Sequence, residues 1–159
     1  MDTTHDKGTP NGVKPYTVLF LCTGNSCRSQ MAEGWAHHLK SKAMIAYSAG
    51  TKRHGLNQVA VEVMLDAGVD ISQHRSKTTE HLSDVEFDLV VTVCDNAHET
   101  CPVFPGTPRM IHRSFDDPPR LAQTAATDAE ALEHYRRVCE EIRQFVAEMP
   151  NSLEEWDAQ

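Results

Sequence analysis

The spacing of apolar and polar positions changes several times along the 159-residue chain, and each change marks an element. Tyr16 to Leu21 is apolar almost throughout, the pattern of a central parallel strand buried on both faces. From Ser29 to Lys40 the period lengthens. Met31, Ala32, Trp35, Ala36 and Leu39 form one apolar face of a helix, with Gly34 a weak point on its other side. Met44 to Ala49 predicts a second strand. Leu56, Val59, Ala60, Val63, Met64 and Ala67 mark a second helix, with Asn57 placed to cap it and Gly68 to stop it. Asp70 to Thr79 is polar and reads as loop, followed by a short helix at Thr79 to Leu82. Asp88 to Cys94 and Arg109 to His112 predict strands three and four. Between them, residues 95–108 carry three prolines and Gly106 and read mostly as loop. Ser114 to Arg120, with Asp116-Asp117-Pro118-Pro119, reads as irregular. A last helix runs from Thr127, in capping-box spacing with Glu130, to about Met149. Tyr135, Val138, Ile142, Phe145 and Met149 line one side of it, and Pro150 ends it.

Strands alternating with helices predict one α/β domain over residues 15–150, a four-stranded parallel sheet with helices on both faces. Residues 1–14 lack periodicity and read as a flexible leader, and residues 151–159 as a frayed tail. Ligands in such folds sit beyond the C-terminal ends of the strands, where Cys22 and Cys94 both fall.

Composition narrows the function classes. No apolar run approaches the ~20 residues of a membrane span, and the polar start has no signal core, so a cytoplasmic protein without a membrane partner is expected. A net charge of −8 argues against nucleic acid. Five cysteines (22, 27, 94, 101 and 139), an odd number, point to catalysis, redox exchange or metal rather than to a disulfide framework.

The chemistry concentrates in Cys22-Thr23-Gly24-Asn25-Ser26-Cys27-Arg28-Ser29, a Cys-x5-Arg loop between the first strand and the first helix. Gly24 and Asn25 tolerate positive φ, so the loop N–H groups can turn inward as an anion nest, backed by the positive end of the helix. Arg28 adds a planar fork for a tetrahedral oxyanion. In that field the Cys22 thiol is expected to ionise below the free value of ~8.5. Phosphate, arsenate or sulfate fits such a cradle.

The run Cys22 to Gly34, with Tyr47-Ser48-Ala49-Gly50-Thr51, Val91-Thr92-Val93-Cys94-Asp95, Cys101-Pro102 and Phe115-Asp116-Asp117-Pro118, resembles the thioredoxin-coupled arsenate reductases, which share the fold of the low-molecular-weight tyrosine phosphatases. The likeness spans about residues 16–148. The resemblance implies that Cys22 attacks arsenate, held by Arg28 and the loop from Thr23 through Gly24, Asn25, Ser26 and Cys27 to Ser29. Ser29 would hydrogen-bond the thiolate, and Asp117, rather than its neighbour Asp116, would protonate the departing oxygen. Cys94 would then form a disulfide with Cys22, and Cys101 with Cys94, and thioredoxin would reduce that last pair. No cofactor beyond this redox-active disulfide is implied, and a monomer is expected. Some members bind potassium at positions matching Asn25, Glu33 and Ser48. Lys77 stands where those members carry an acidic residue, and its ammonium could fill the cation's place.

If residues 94–101 were helical, Cys94 and Cys101 would lie ~10 Å apart at 1.5 Å per residue. A disulfide needs Cα atoms within ~7 Å, so the segment is expected to unwind on oxidation. Three alternatives remain. The same loop serves a phosphatase working through a phosphocysteine; Cys94, His98 and Cys101 share one helical face that could hold zinc; and a redox- or metal-responsive binding protein without turnover is the third. Cys27 and Cys139 read as packing residues.

Overall fold

The computed structural model describes residues 15–99 and 101–149. The expected leader (1–14) and tail (151–159) lie outside the described residues.

The chain runs β1 (Tyr16–Cys22), α1 (Arg28–Leu39), β2 (Met44–Gly50), α2 (Gln58–Asp66), a 3-10 turn (Thr79–Leu82), β3 (Leu89–Thr92), α3 (Asp95–Glu99), β4 (Arg109–His112), α4 (Pro118–Gln123) and α5 (Asp128–Ala147). The four strands form one sheet in the order β2-β1-β3-β4, and every pairing is parallel. Val18 through Cys22 are all buried, and so is every residue of β3. Because successive strand residues point to opposite faces, the sheet is covered by helices on both. The order reverses between β1 and β3, so the crevice beyond their C-terminal ends is the topological switch point of the fold.

Local chemistry explains most of the boundaries. The Asn57 side chain accepts from the Ala60 N–H (2.9 Å) and starts α2, and Gly68 leaves it in the left-handed region at φ +98°. The Thr127 hydroxyl accepts from the Glu130 N–H (3.0 Å) and starts α5, whose buried stripe of Tyr135, Val138, Ile142 and Phe145 covers α1.

Three expectations are corrected. The stretch read as irregular, Ser114 to Arg120, holds the start of α4. Pro118 and Pro119 occupy its first turn, where a missing N–H costs nothing because it would have no helical partner. Residues 95–99, read within a loop, form the short α3. Gly34 is a contact point rather than a weak point. A Cβ there would lie 2.7 Å from Ile71 Cγ2 and 2.9 Å from Met64 Cε, so the glycine lets α1 approach those two buried side chains.

Candidate active site

The Cys-x5-Arg loop closes over the switch point. Cys22 is the last residue of β1 and is 3 % exposed; Arg28 opens α1. A cavity of about 360 Å³ lies above it, lined by Cys22, Thr23, Gly24, Ser26, Cys27, Arg28, Lys52, His54, Asn96, Asp117 and Pro119. Asn25 and Ser29 stand behind this wall, fully buried.

The following segment, residues 51–57, holds the loop's carbonyls. The oxygens of Cys22, Thr23, Gly24 and Ser26 accept from the N–H groups of Thr51 (3.2 Å), Lys52 (2.9 Å), His54 (3.0 Å) and Asn57 (2.9 Å). The negative ends of these peptide dipoles are spent on protein donors, as an anion site requires. Gly50 makes the packing feasible, because a Cβ there would sit 2.4 Å from the Lys52 carbonyl oxygen and 2.8 Å from the Asn25 nitrogen.

Asn25 alone carries the left-handed turn of the loop, at φ 49°. Gly24 does not adopt positive φ, contrary to expectation; its missing side chain instead admits the His54 ring, 2.3 Å from where a Cβ would lie. The Asn25 amide is fully used. Nδ2 donates to Ser29 Oγ (2.8 Å) and Ser48 Oγ (3.0 Å), and Oδ1 accepts from Gln30 Nε2 (2.9 Å) and the Lys77 N–H (2.8 Å). With Asn25 donating to Ser29, the Ser29 hydroxyl proton is available to Cys22 Sγ, 2.8 Å away. The Ser48 hydroxyl in turn donates to Glu33 Oε1 (2.5 Å).

Arg28 is 13 % exposed at its side chain, donates to the Phe115 carbonyl (2.9 Å) and reaches Asp117 Oδ1 at 3.6 Å. Asp117 occupies the N-cap position of α4 without a side-chain capping bond, so its carboxyl stays on the cavity. Asp116 turns the other way, to Arg137 (3.1 Å). Cys27 lines the cavity, but burial pushes its thiol far up, with the Cys22 charge adding to the effect and Arg28 opposing it, so it stays protonated.

All five cysteines are free thiols. Cys94 follows β3, 2 % exposed, and lies against the loop: the Thr23 hydroxyl is 3.3 Å from its sulfur and donates to Asn96 Oδ1 (3.2 Å). The Ala97 N–H donates to Cys94 Sγ (3.4 Å), so the thiol also caps the start of α3. Cys101 is half-buried in the chain before β4, and burial pushes its thiol up. Neither Cys94 nor Cys101 lines the cavity. The helical premise for their spacing is not met, since α3 ends at Glu99. The side chain of His98, invoked for a zinc site with these cysteines, lies outside the described residues.

At Asn25, Glu33 and Ser48, the positions the resemblance matches to potassium, the structure shows protein contacts. Both hydrogen-bonding ends of Asn25, the Ser48 hydroxyl and one Glu33 oxygen are engaged by protein, and Lys77 Nζ lies 3.9 Å from Glu33 Oε1 and 3.0 Å from the Arg75 carbonyl. Burial lowers the pKa of Lys77.

Sequence reasoning missed Lys52, His54, Asn96 and Pro119. Lys52 and His54 follow the end of β2, and Asn96 follows β3, so the rule that places ligands beyond strand ends covers them.

The chain has counterparts among known proteins. The family model for low molecular weight phosphotyrosine protein phosphatase matches residues 17–158. The chain belongs to that family. Within it, the chain is 45 % identical over 125 residues to an arsenate reductase of Halalkalibacterium halodurans, covering 79 % of this chain and 88 % of that one. Among solved structures it is similar to an arsenate reductase from Archaeoglobus fulgidus (28 % identity, TM-score 0.63, 83 % of this chain and 97 % of that one). It is also similar to a low molecular weight protein tyrosine phosphatase from T. tengcongensis (27 % identity, TM-score 0.67, 86 % and 99 %). Among the described residues, no helix of this family member is long and apolar enough to cross a membrane.

Proposed function

We propose that this protein reduces arsenate to arsenite through Cys22, Cys94 and Cys101. The observation that carries the reading is the second thiol: Cys94 Sγ lies 3.3 Å from Thr23 Oγ1, on the residue that follows the nucleophile. Arsenate reductases among the relatives support the same substrate.

In the first step the Cys22 thiolate bonds to arsenic, and one oxygen leaves as water. Asp117 supplies a proton to it while Arg28 and the loop hold the remaining oxygens. In the second, the Cys94 thiolate attacks Cys22 Sγ. The S–S bond forms, the S–As bond breaks, and its electron pair stays on arsenic, which leaves as arsenite. In the third, Cys101, once deprotonated, attacks Cys94 Sγ and returns Cys22 as a thiolate. An external dithiol of the thioredoxin class then takes over the Cys94–Cys101 disulfide, and its own oxidation closes the two-electron balance. The protein acts in the cytoplasm as a monomer, with no metal or organic cofactor in this cycle.

The test is a thiol count on anaerobic, pre-reduced protein before and after one equivalent of arsenate. Loss of two thiols with one arsenite released, reversed by thioredoxin, is expected; an unchanged count overturns the reading. One observation favours a second function, a phosphatase: the cavity holds Cys22, Arg28 and Asp117 without Cys94 or Cys101. Cys94→Ser separates the two. It abolishes arsenate turnover and spares hydrolysis of an aryl phosphate, whereas loss of both activities together counts against the relay.

A further inference from the structure

A second cluster of ligand-type side chains sits behind the loop and has no part in the chemistry above. Glu33 and His37 are one turn apart on α1 and therefore share a face. His74 reaches the same point from the turn after Ile71, which its own N–H closes on the Ile71 carbonyl (2.9 Å). One ligand atom from each of the three lies within 4.8 Å of the others.

The hydrogen bonds around the cluster determine which atoms are free. Gln30 Nε2 donates to the Asn25 and Arg75 oxygens, so Gln30 Oε1 is the end that faces His74 Nδ1, 2.9 Å away. An amide oxygen only accepts, so the neutral His74 ring carries its proton on Nδ1 and has its lone pair on Nε2. This is the buttressing that orients a metal-bound imidazole. Glu33 Oε1 accepts from Ser48, which leaves Oε2, 3.7 Å from His37 Nε2. His37 is half-exposed and bonds the Ala46 carbonyl (2.9 Å); its ring can exchange that bond for an ion by moving its proton to Nδ1. Beside the two imidazoles lies a cavity of about 220 Å³, also lined by His38 and Asp70, with room for a water ligand.

We propose that Glu33, His37 and His74 form a binding site for a divalent transition-metal ion of the zinc class. Two imidazoles and one carboxylate suit zinc, cobalt or nickel rather than potassium, calcium or magnesium. Metal–ligand bonds of ~2.0–2.1 Å put tetrahedral donors about 3.4 Å apart, so the cluster closes by side-chain rotations on the order of 1 Å. The ion would anchor the loop carrying His74 to α1, at the far end of the hydrogen-bonded run Glu33–Ser48–Asn25–Ser29–Cys22.

The probe is Co²⁺, titrated into the full chain carrying Cys22→Ser, Cys94→Ser and Cys101→Ser, so that the relay thiols cannot compete. Binding is read by visible absorption, with thermal unfolding as the control for folding. One Co²⁺ per chain is expected, without a sulfur-to-cobalt charge-transfer band. Affinity should fall by at least about tenfold on adding either His37→Ala or His74→Ala. His37 is half-exposed, so its variant leaves no core cavity. Absence of binding, a sulfur band, or affinity unchanged within about twofold in both histidine variants overturns the proposal.

Discussion

Removing the Asn25 side chain separates two roles that the structure combines in one residue. Asn25 is fully buried, sits at φ 49°, and makes four side-chain hydrogen bonds, to Ser29, Ser48, Gln30 and the Lys77 N–H. At about 1 kcal/mol net for each, losing the four costs about 4 kcal/mol. Asn25→Gly should lose that much, because glycine adopts the left-handed conformation without strain. Asn25→Ala should lose a further 1–2 kcal/mol or so, the cost of holding a Cβ there. Urea unfolding monitored by near-ultraviolet circular dichroism and tryptophan fluorescence measures both. The result that refutes the reasoning is specific. If alanine and glycine destabilise equally, the loop does not depend on the left-handed turn. If both lose less than about 2 kcal/mol, the network does not carry the stability ascribed to it.

Asp117→Asn removes the proposed proton donor while keeping the shape, and should lower kcat for arsenate by about 10²- to 10⁴-fold with little change in oxyanion binding; retained kcat would reassign the acid. Gly34→Ala forces a methyl against Ile71 and Met64, costing about 1–3 kcal/mol of overpacking against about 1 kcal/mol of helix propensity, so the variant should be less stable by thermal unfolding. His74 should make stability fall with acid. Its native pKa lies below 6.5 through burial, with Glu33 and Asp70 raising it and His37 and Lys77 lowering it, so the unfolded chain binds the proton first. Its contribution is therefore present above about pH 6.5 and lost as pH falls through the depressed value. His74→Gln should flatten that part of the stability–pH profile.

The parts of the fold legible in the sequence were those with a long period or a local signature. α5 announced itself through a capping threonine and an apolar stripe, α2 through Asn57 and Gly68, and β4 through a short run between breakers. α3 has five residues, too few for a 3.6-residue period to register. α4 was hidden because Pro118 and Pro119 are breakers in a helix interior and compatible with its first turn, and composition does not say which applies. In the site, the loop and Arg28 were legible because strand, loop and helix are contiguous. The contact of Thr23 with Cys94 joins residues 71 positions apart, and only the parallel pairing of β1 with β3 creates it. The same holds for Gln30 and His74, 44 apart, whose pairing depends on a side-chain orientation that no local pattern encodes.

The sulfur of Cys94, a redox centre in the proposed relay, is also the acceptor for the Ala97 amide. The Asp95 and Asn96 side chains of this five-residue helix are tied to His112 and Thr23, and the Ala97 amide is tied to the sulfur, so the electronic state of that atom bears on the protection of one backbone proton. Thiolate sulfur accepts strongly, thiol sulfur weakly, and disulfide sulfur drawn toward Cys22 or Cys101 leaves that amide behind. In the proposed relay the Ala97 N–H is thus a built-in reporter: its exchange rate with solvent would track the progress of the cycle without any label on the substrate.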